Sequence, residues 1–131
     1  MNELQSSPAL SRSAYLVRYW LPPVLYAAFI FFLSSLPGKK YLFAFSSADK
    51  LLHLLEYAGL GYLIARAFGY NALGKKSLLL RSFAACFLYG LSYEFHQWFV
   101  PYRVVSGMDM LANVAGSILG IGIYIKKRKV L

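Results

Sequence analysis

The chain has 131 residues, 59% of them hydrophobic and 18% aromatic, with a mean hydropathy of +0.51 and a formal net charge of +9. That apolar excess argues against an ordinary soluble domain and leaves no hydrophilic stretch long enough for a second one. The basic residues flank apolar segments, where Lys and Arg orient helices and meet anionic lipid, so the positive balance does not call for nucleic acid.

The first element follows Arg12 and Arg18: residues 19–36 form a charge-free run long enough to span a bilayer. Pro22 and Pro23 fall in its first turns, where proline is tolerated. No A-x-A-like cleavage site follows, and Pro37-Gly38-Lys39-Lys40 reads as a helix stop, so a retained anchor is expected rather than a signal peptide. Residues 51–69 give a second, more polar span carrying His53, Glu56 and Arg66. Residues 78–100 give a third, with Arg81 near its start and Glu94 near its end. Its single Cys86 sits mid-segment and reads as a small apolar residue. Residues 108–125 give a fourth, closed by Lys126-Lys127-Arg128-Lys129.

Regular spacing and short connections predict an all-α membrane protein, a four-transmembrane-helix bundle made of two hairpins. Residues 1–18 are the expected N-terminal tail, 19–125 the membrane domain and 126–131 a basic C-terminal tail. Four spans place both termini on one side. That side would hold Arg12, Arg18, Arg66, Lys75, Lys76, Arg81 and the four C-terminal basic residues, against Lys39, Lys40, Lys50 and Arg103 on the other. The positive-inside rule then puts both termini in the cytoplasm of a cell whose inner membrane holds the protein.

In this topology Asp49, His53, Glu56, Glu94, His96, Gln97, Arg103, Asp109 and Asn113 all fall on the outer half. Charged side chains within a bilayer are costly and mark functional sites by default. Asp49 follows Ser46, and Asp109 follows Ser106, at the spacing of a capping box, so each carboxylate serves as a cap, as chemistry, or as both. His53 lies one turn after Asp49 and one before Glu56 and Tyr57. Asp49 would orient the imidazole and His53 would act as acid, base or ligand; the alternative is a buried histidine bonded to a nearby carbonyl. Glu94 and Gln97 share a helix face, whereas His96 points toward an interfacial position beside Trp98 and Phe99. Arg103 is placed to pair with Glu94 or Asp109 or to grip a phosphate, unless it is a solvated loop residue. Asn113 follows Asp109 by one turn, on the stripe of Gly116 and Gly120. Ala112, Gly116 and Gly120 form a small-xxx-small series that predicts close helix packing.

Ser46-x-x-Asp49-x-x-x-His53 and Ser106-x-x-Asp109-x-x-x-Asn113 form a short internal repeat, each preceded by a Pro and a basic residue. It suggests two hairpins related by an axis along the membrane normal, with the polar site between them. There is no P-loop, G-x-S-x-G elbow or H-E-x-x-H helix. His53 with Glu56, Glu94 and Asp109 would make a mixed nitrogen–oxygen metal site, yet no local spacing is diagnostic and no metal is assigned. The cofactor requirement stays open.

Three blocks, in order, carry a resemblance. The first is Asp49-Lys50-Leu51-Leu52-His53 with Tyr57, Leu60-Gly61 and Arg66. The second is Leu88-Tyr89-Gly90 with Glu94-Phe95-His96-Gln97 and Val100-Pro101-Tyr102-Arg103. The third is Asp109-Met110-Leu111-Ala112-Asn113 with Gly116 and Gly120. Over roughly residues 20–125 the chain resembles the VanZ-like family. It departs from that family at Tyr93, where many members carry Asp beside the Glu, and at Tyr102, often Gly. The resemblance implies a small integral membrane protein of the cell envelope. The family is named for an accessory protein that lowers susceptibility to teicoplanin-type glycopeptides, and other members accompany exopolysaccharide genes.

Two functions fit the residues, and a third competes with them. In one, an outward-facing polar pocket engages a lipid-linked envelope precursor or a lipophilic glycopeptide. If it catalyses, His53 is the acid–base group oriented by Asp49, Glu94 is a second such group, and Gln97, Arg103, Asp109, Asn113 and Glu56 bind the ligand. In the other, the same residues cap and bridge helices in a non-catalytic subunit of envelope polysaccharide machinery. Proton-coupled transport is the third reading, opposed by the lack of an acidic path through the inner halves.

Overall fold

The computed structural model describes residues 9–36 and 47–130. Among them are four long helices and no strand: α1 (Arg12–Ser35), α2 (Ser47–Gly69), α3 (Lys75–Gln97) and α4 (Gly107–Val130). Arg12–Ser35 and Gly107–Arg128 are long and apolar enough to cross a membrane. Helices α2 and α3 have comparable length but a more polar composition.

Helix α1 begins ahead of the expected start at residue 19, capped by Ser11, whose Oγ accepts from the Ala14 amide at 3.2 Å. This early start puts Pro22 and Pro23 inside the helix rather than in its first turns. Proline donates no backbone bond and its ring crowds the carbonyl four residues back. The chain responds with a wider, π-helical stretch over Leu16–Trp20, immediately before the prolines. The Arg18 carbonyl, four residues before Pro22 and five before Pro23, can find no helical donor at either distance. Arg66 of α2 supplies one, its guanidinium donating to the Arg18 oxygen at 3.1 Å. Helix α4 in turn runs through the basic C-terminal segment, because Lys and Arg are good helix formers.

Contacts between helix ends fix the directions. The start of α1 meets the end of α2, where the Tyr15 hydroxyl donates to the Ala67 carbonyl at 3.1 Å. The end of α1 meets the end of α3, where Ser35 Oγ and His96 Nε2 lie 2.9 Å apart. The start of α2 meets the start of α4 through Lys50 and Asp109. Successive helices therefore run in opposite senses, and α2 and α4 are parallel.

The α2–α4 pair is the most extensive contact in the molecule. The small-residue stripe explains it. A Cβ at Gly116 would strike the Leu54 carbonyl, and one at Gly120 the Ala58 carbonyl. A Cβ at Gly61, on the facing helix, would lie 2.6 Å from the Ser117 carbonyl. Backbone meets backbone along this seam, as small residues at helix interfaces permit. Beside it, Tyr57, Leu60, Ile64 and Cys86 form an apolar core, with Tyr26, Ala27, Phe68, Ala85 and Tyr89 packed around it.

The distribution of polarity is inverted relative to a soluble domain. Ser34, His53, Ser82, Glu94, Gln97, Asp109, Asn113 and Ser117 are buried, while large apolar side chains on every helix, such as Phe32, Leu55, Leu88 and Leu119, are exposed. Exposed apolar surface on this scale implies an apolar surrounding or partner.

Candidate functional site

The buried ionisable and amide side chains gather where α2 and α4 begin and α3 ends. The antiparallel order brings them there: Asp49, Lys50 and His53 lie in the first turns of α2, Asp109 and Asn113 in those of α4, and Glu94 and Gln97 in the last turns of α3.

A line of side-chain hydrogen bonds crosses three helices. The Asn113 amide nitrogen donates to Glu94 Oε1 at 3.2 Å. Its carbonyl oxygen therefore faces His53 Nδ1, at 3.0 Å, and this contact is a bond only if Nδ1 carries the proton. His53 therefore carries a proton on Nδ1, and Nε2 is the ring nitrogen left without a hydrogen-bond partner. That nitrogen faces Asp49 Oδ1 at 4.0 Å, beyond hydrogen-bond reach. Asn113, rather than Asp49, thus makes the bond that orients the imidazole. His53 is 4% exposed and Asn113 1%. The edge of the ring is packed against Tyr93, centroids 5.9 Å apart, where many members of the family that the sequence resembles carry a carboxylate.

Of the capping box expected around Asp109, only the serine caps. Ser106 Oγ accepts from the Met108 amide at 3.2 Å, but the carboxylate turns away from its own helix and takes the Lys50 ammonium at 2.9 Å. The corresponding Ser46 cap lies outside the described residues. The bond to Asp109 holds the Lys50 ammonium at the mouth of the cluster, on a side chain that is partly exposed. Lys50 joins the site, although charge and spacing alone assign it only to the orientation of the helices. Its position between Asp49 and His53, one turn before the histidine, was the available signal.

Other expected members sit apart from this line. Arg103 turns toward the end of α1, donating to the Leu33 carbonyl at 3.3 Å, which also accepts from the Leu36 amide, and to the Leu36 carbonyl at 3.4 Å, beyond the last helical turn. Gln97 is buried one turn beyond Glu94. Glu56 is half-buried one turn along α2 from His53. His96, expected at the interface, stacks on Phe31 with centroids 4.2 Å apart; Ser35 donates its own hydroxyl to the Phe31 carbonyl and so accepts from His96.

The internal repeat has a physical counterpart. His53 and Asn113 hold the same place in its two halves, and they bond to each other across the α2–α4 seam. Chemically, the arrangement offers an imidazole oriented through Nδ1, a second ring nitrogen without a hydrogen-bond partner, two carboxylates beside it and a lysine ammonium. Compared with known proteins, residues 19–128 match the family model described as VanZ/LLP1. No curated protein and no solved structure matches the chain.

Proposed function

Because the chain belongs to the VanZ/LLP1 family, we propose that it is a four-span envelope protein of the bacterial cytoplasmic membrane whose polar cluster engages an amphiphilic envelope ligand. All four helices cross the membrane as two hairpins, both termini are cytoplasmic, and the cluster faces outward. The exposed apolar faces of α2 and α3 support the two additional spans despite their polar interiors. The excess of Lys and Arg at the opposite end supports the orientation.

One observation carries the functional part: a buried histidine held at Nδ1 by a side-chain line through Asn113 to Glu94, with its other nitrogen unbonded. Side chains bonded to one another in an apolar interior are costly to keep, and such groups mark working sites. A ligand with its tail in the bilayer and its head group at the outer interface would meet this cluster. The ligand class is a lipid-linked envelope precursor or a lipophilic glycopeptide of the teicoplanin type. His53 Nε2 acts as acid, base or ligand, Lys50 offers positive charge to an anionic head group, and Asp49 and Asp109 complete the polar surface.

The competing reading makes the same line a brace that holds three helices together. The test is teicoplanin susceptibility of a sensitive host expressing the wild type, His53→Gln or Glu94→Gln, with membrane abundance measured in parallel. Protection by the wild type that both variants lose at unchanged abundance is the expected result. Loss of abundance in step with protection would favour the brace. Protection kept by both variants would exclude the catalytic role.

A further inference from the structure

Asp49, His53 and Asp109 each offer one ligand atom, and the three atoms lie within 4.8 Å of one another. We infer that these residues bind a first-row divalent transition-metal ion, with Lys50 as the charge that holds the place when the ion is absent. The set differs from the mixed site conceivable from sequence: Glu56 and Glu94 are not in it, and Asp49 is.

Three observations point the same way. First, His53 is nine-tenths buried, its Nδ1 is committed to Asn113, and its Nε2 is aimed at Asp49 without a hydrogen-bond partner. Imidazoles that bind metal through one nitrogen characteristically donate the other N–H to an oxygen acceptor, which fixes the ring and raises its basicity. The Asn113 carbonyl oxygen fills that role, and Glu94 fixes Asn113 in turn. Second, the donors come from two helices held together by the glycine seam, so the site does not depend on a loop. Modest side-chain rotation would bring each donor to the roughly 2.0–2.2 Å that such ions require. Third, a cationic group already sits at the cluster. The Lys50 ammonium is 2.9 Å from Asp109, on a side chain that is 36% exposed and has room to swing outward. An imidazole with two carboxylates favours ions such as Zn2+, Co2+ or Mn2+ over Mg2+ or Ca2+, which prefer an all-oxygen set. Three protein donors leave coordination positions open. Where the proposed ligand carries an anionic head group, those positions would receive it; ion binding itself does not rest on that reading.

The experiment uses tag-free, full-length protein in detergent, freed of metal by chelation and titrated calorimetrically with Zn2+, then with Co2+ while the visible spectrum is recorded. Neither lipid nor glycopeptide is present, so failure here leaves the envelope reading untouched, and failure of that reading leaves this result standing. The expected outcome is one ion per chain and cobalt bands that signal a low-coordinate site. Affinity should fall about tenfold or more in Asp49→Asn, His53→Gln and Asp109→Asn, since loss even of an outer-shell partner weakens binding by about that factor. Lys50→Met should bind several-fold more tightly, because the ion no longer displaces a competing cation. Asp49→Asn and Asp109→Asn lie on different helices, so size-exclusion profiles identify a misfolded variant and the other decides. Absence of saturable binding by the wild type overturns the inference. So does binding that both carboxylate variants retain unchanged, or weakened binding in Lys50→Met.

Discussion

The two ends of this helix assembly use polar side chains differently. At the end where α1 begins, side chains serve mainly the backbone and ring faces, and the side-chain bonds there, from Trp20 and Asn71 to the Tyr15 hydroxyl, tie aromatic and loop groups rather than ionised ones. Arg66 bonds the Arg18 carbonyl and lies over the Tyr19 ring at 4.6 Å, Tyr15 bonds the Ala67 carbonyl, and Arg128 bonds the Leu73 carbonyl at 3.0 Å. Tyr15, Tyr19 and Tyr70 pack as an aromatic cluster beside them. Each contact serves a backbone carbonyl near a helix end or a proline, or anchors an aromatic ring. At the other end, Arg103 does similar work on α1, but the rest differs. Lys50 with Asp109, and His53 with Asn113 and Glu94, are side chains bonded to side chains, mostly buried and crossing helices. Side-chain to side-chain bonds are the minority class in proteins, about 10–15%, and the backbone at this end does not need them. The first end's contacts hold backbone carbonyls and aromatic rings; the second end's join ionisable and amide side chains across three helices.

That contrast can be broken in several ways. The largest effect is expected at the seam on which both ends depend. Gly120→Leu drives a side chain into the Ala58 carbonyl and should cost at least about 3 kcal/mol, the upper range of overpacking. In detergent the variant should lose its monodisperse elution peak, and a well-folded Gly120→Leu protein would refute the seam. Next comes Asn113→Leu, which leaves both His53 Nδ1 and Glu94 Oε1 buried without a partner. Each orphaned group costs about 1–3 kcal/mol, so the unfolding temperature should drop sharply. A negligible drop would mean that the line is not formed.

Smaller effects belong to the basic end. Arg66→Met removes the only donor that reaches the Arg18 carbonyl among the described residues. The expected loss is about 1–2 kcal/mol, as for a partly exposed bond to a charged donor. It should leave ligand or metal binding unchanged, which a titration of the variant checks. The smallest effect is a gain. Tyr102 adopts φ 62°, a left-handed conformation that costs an L-residue about 1 kcal/mol and glycine almost nothing. Tyr102→Gly should raise the unfolding temperature slightly, by well under the full strain because glycine also loosens the unfolded chain.

Much of this was readable from the residues, for identifiable reasons. Helix positions follow from apolar runs, and the close approach of α4 follows from Ala112, Gly116 and Gly120 at a spacing of four. The convergence of Asp49, His53, Glu94, Asp109 and Asn113 follows from the alternation of helix direction. The pairings were not readable. Asp49 and His53 are one turn apart and invite a local bond, but the imidazole is oriented by Asn113, sixty residues away, because the glycine seam brings α2 and α4 within reach. Arg103 carries no local mark that it caps α1. The prolines of α1 looked like a helix start because the polar residues before them hide a helix that begins at Arg12. The Tyr102 departure from the family's frequent glycine gains its physical sense only from the backbone angle.

The central claim is that the polar end faces out of the cell. Its most direct test is cysteine labelling in intact bacteria, in a Cys86→Ser background that removes the single native thiol. Val104→Cys places a thiol in the connection beside the polar end, and Asn71→Cys places one in the connection beside the basic end; both positions are exposed. A membrane-impermeant maleimide should label Val104→Cys in intact cells and Asn71→Cys only after the cells are opened. The reverse pattern would put the cluster in the cytoplasm and contradict an envelope ligand on the outer face.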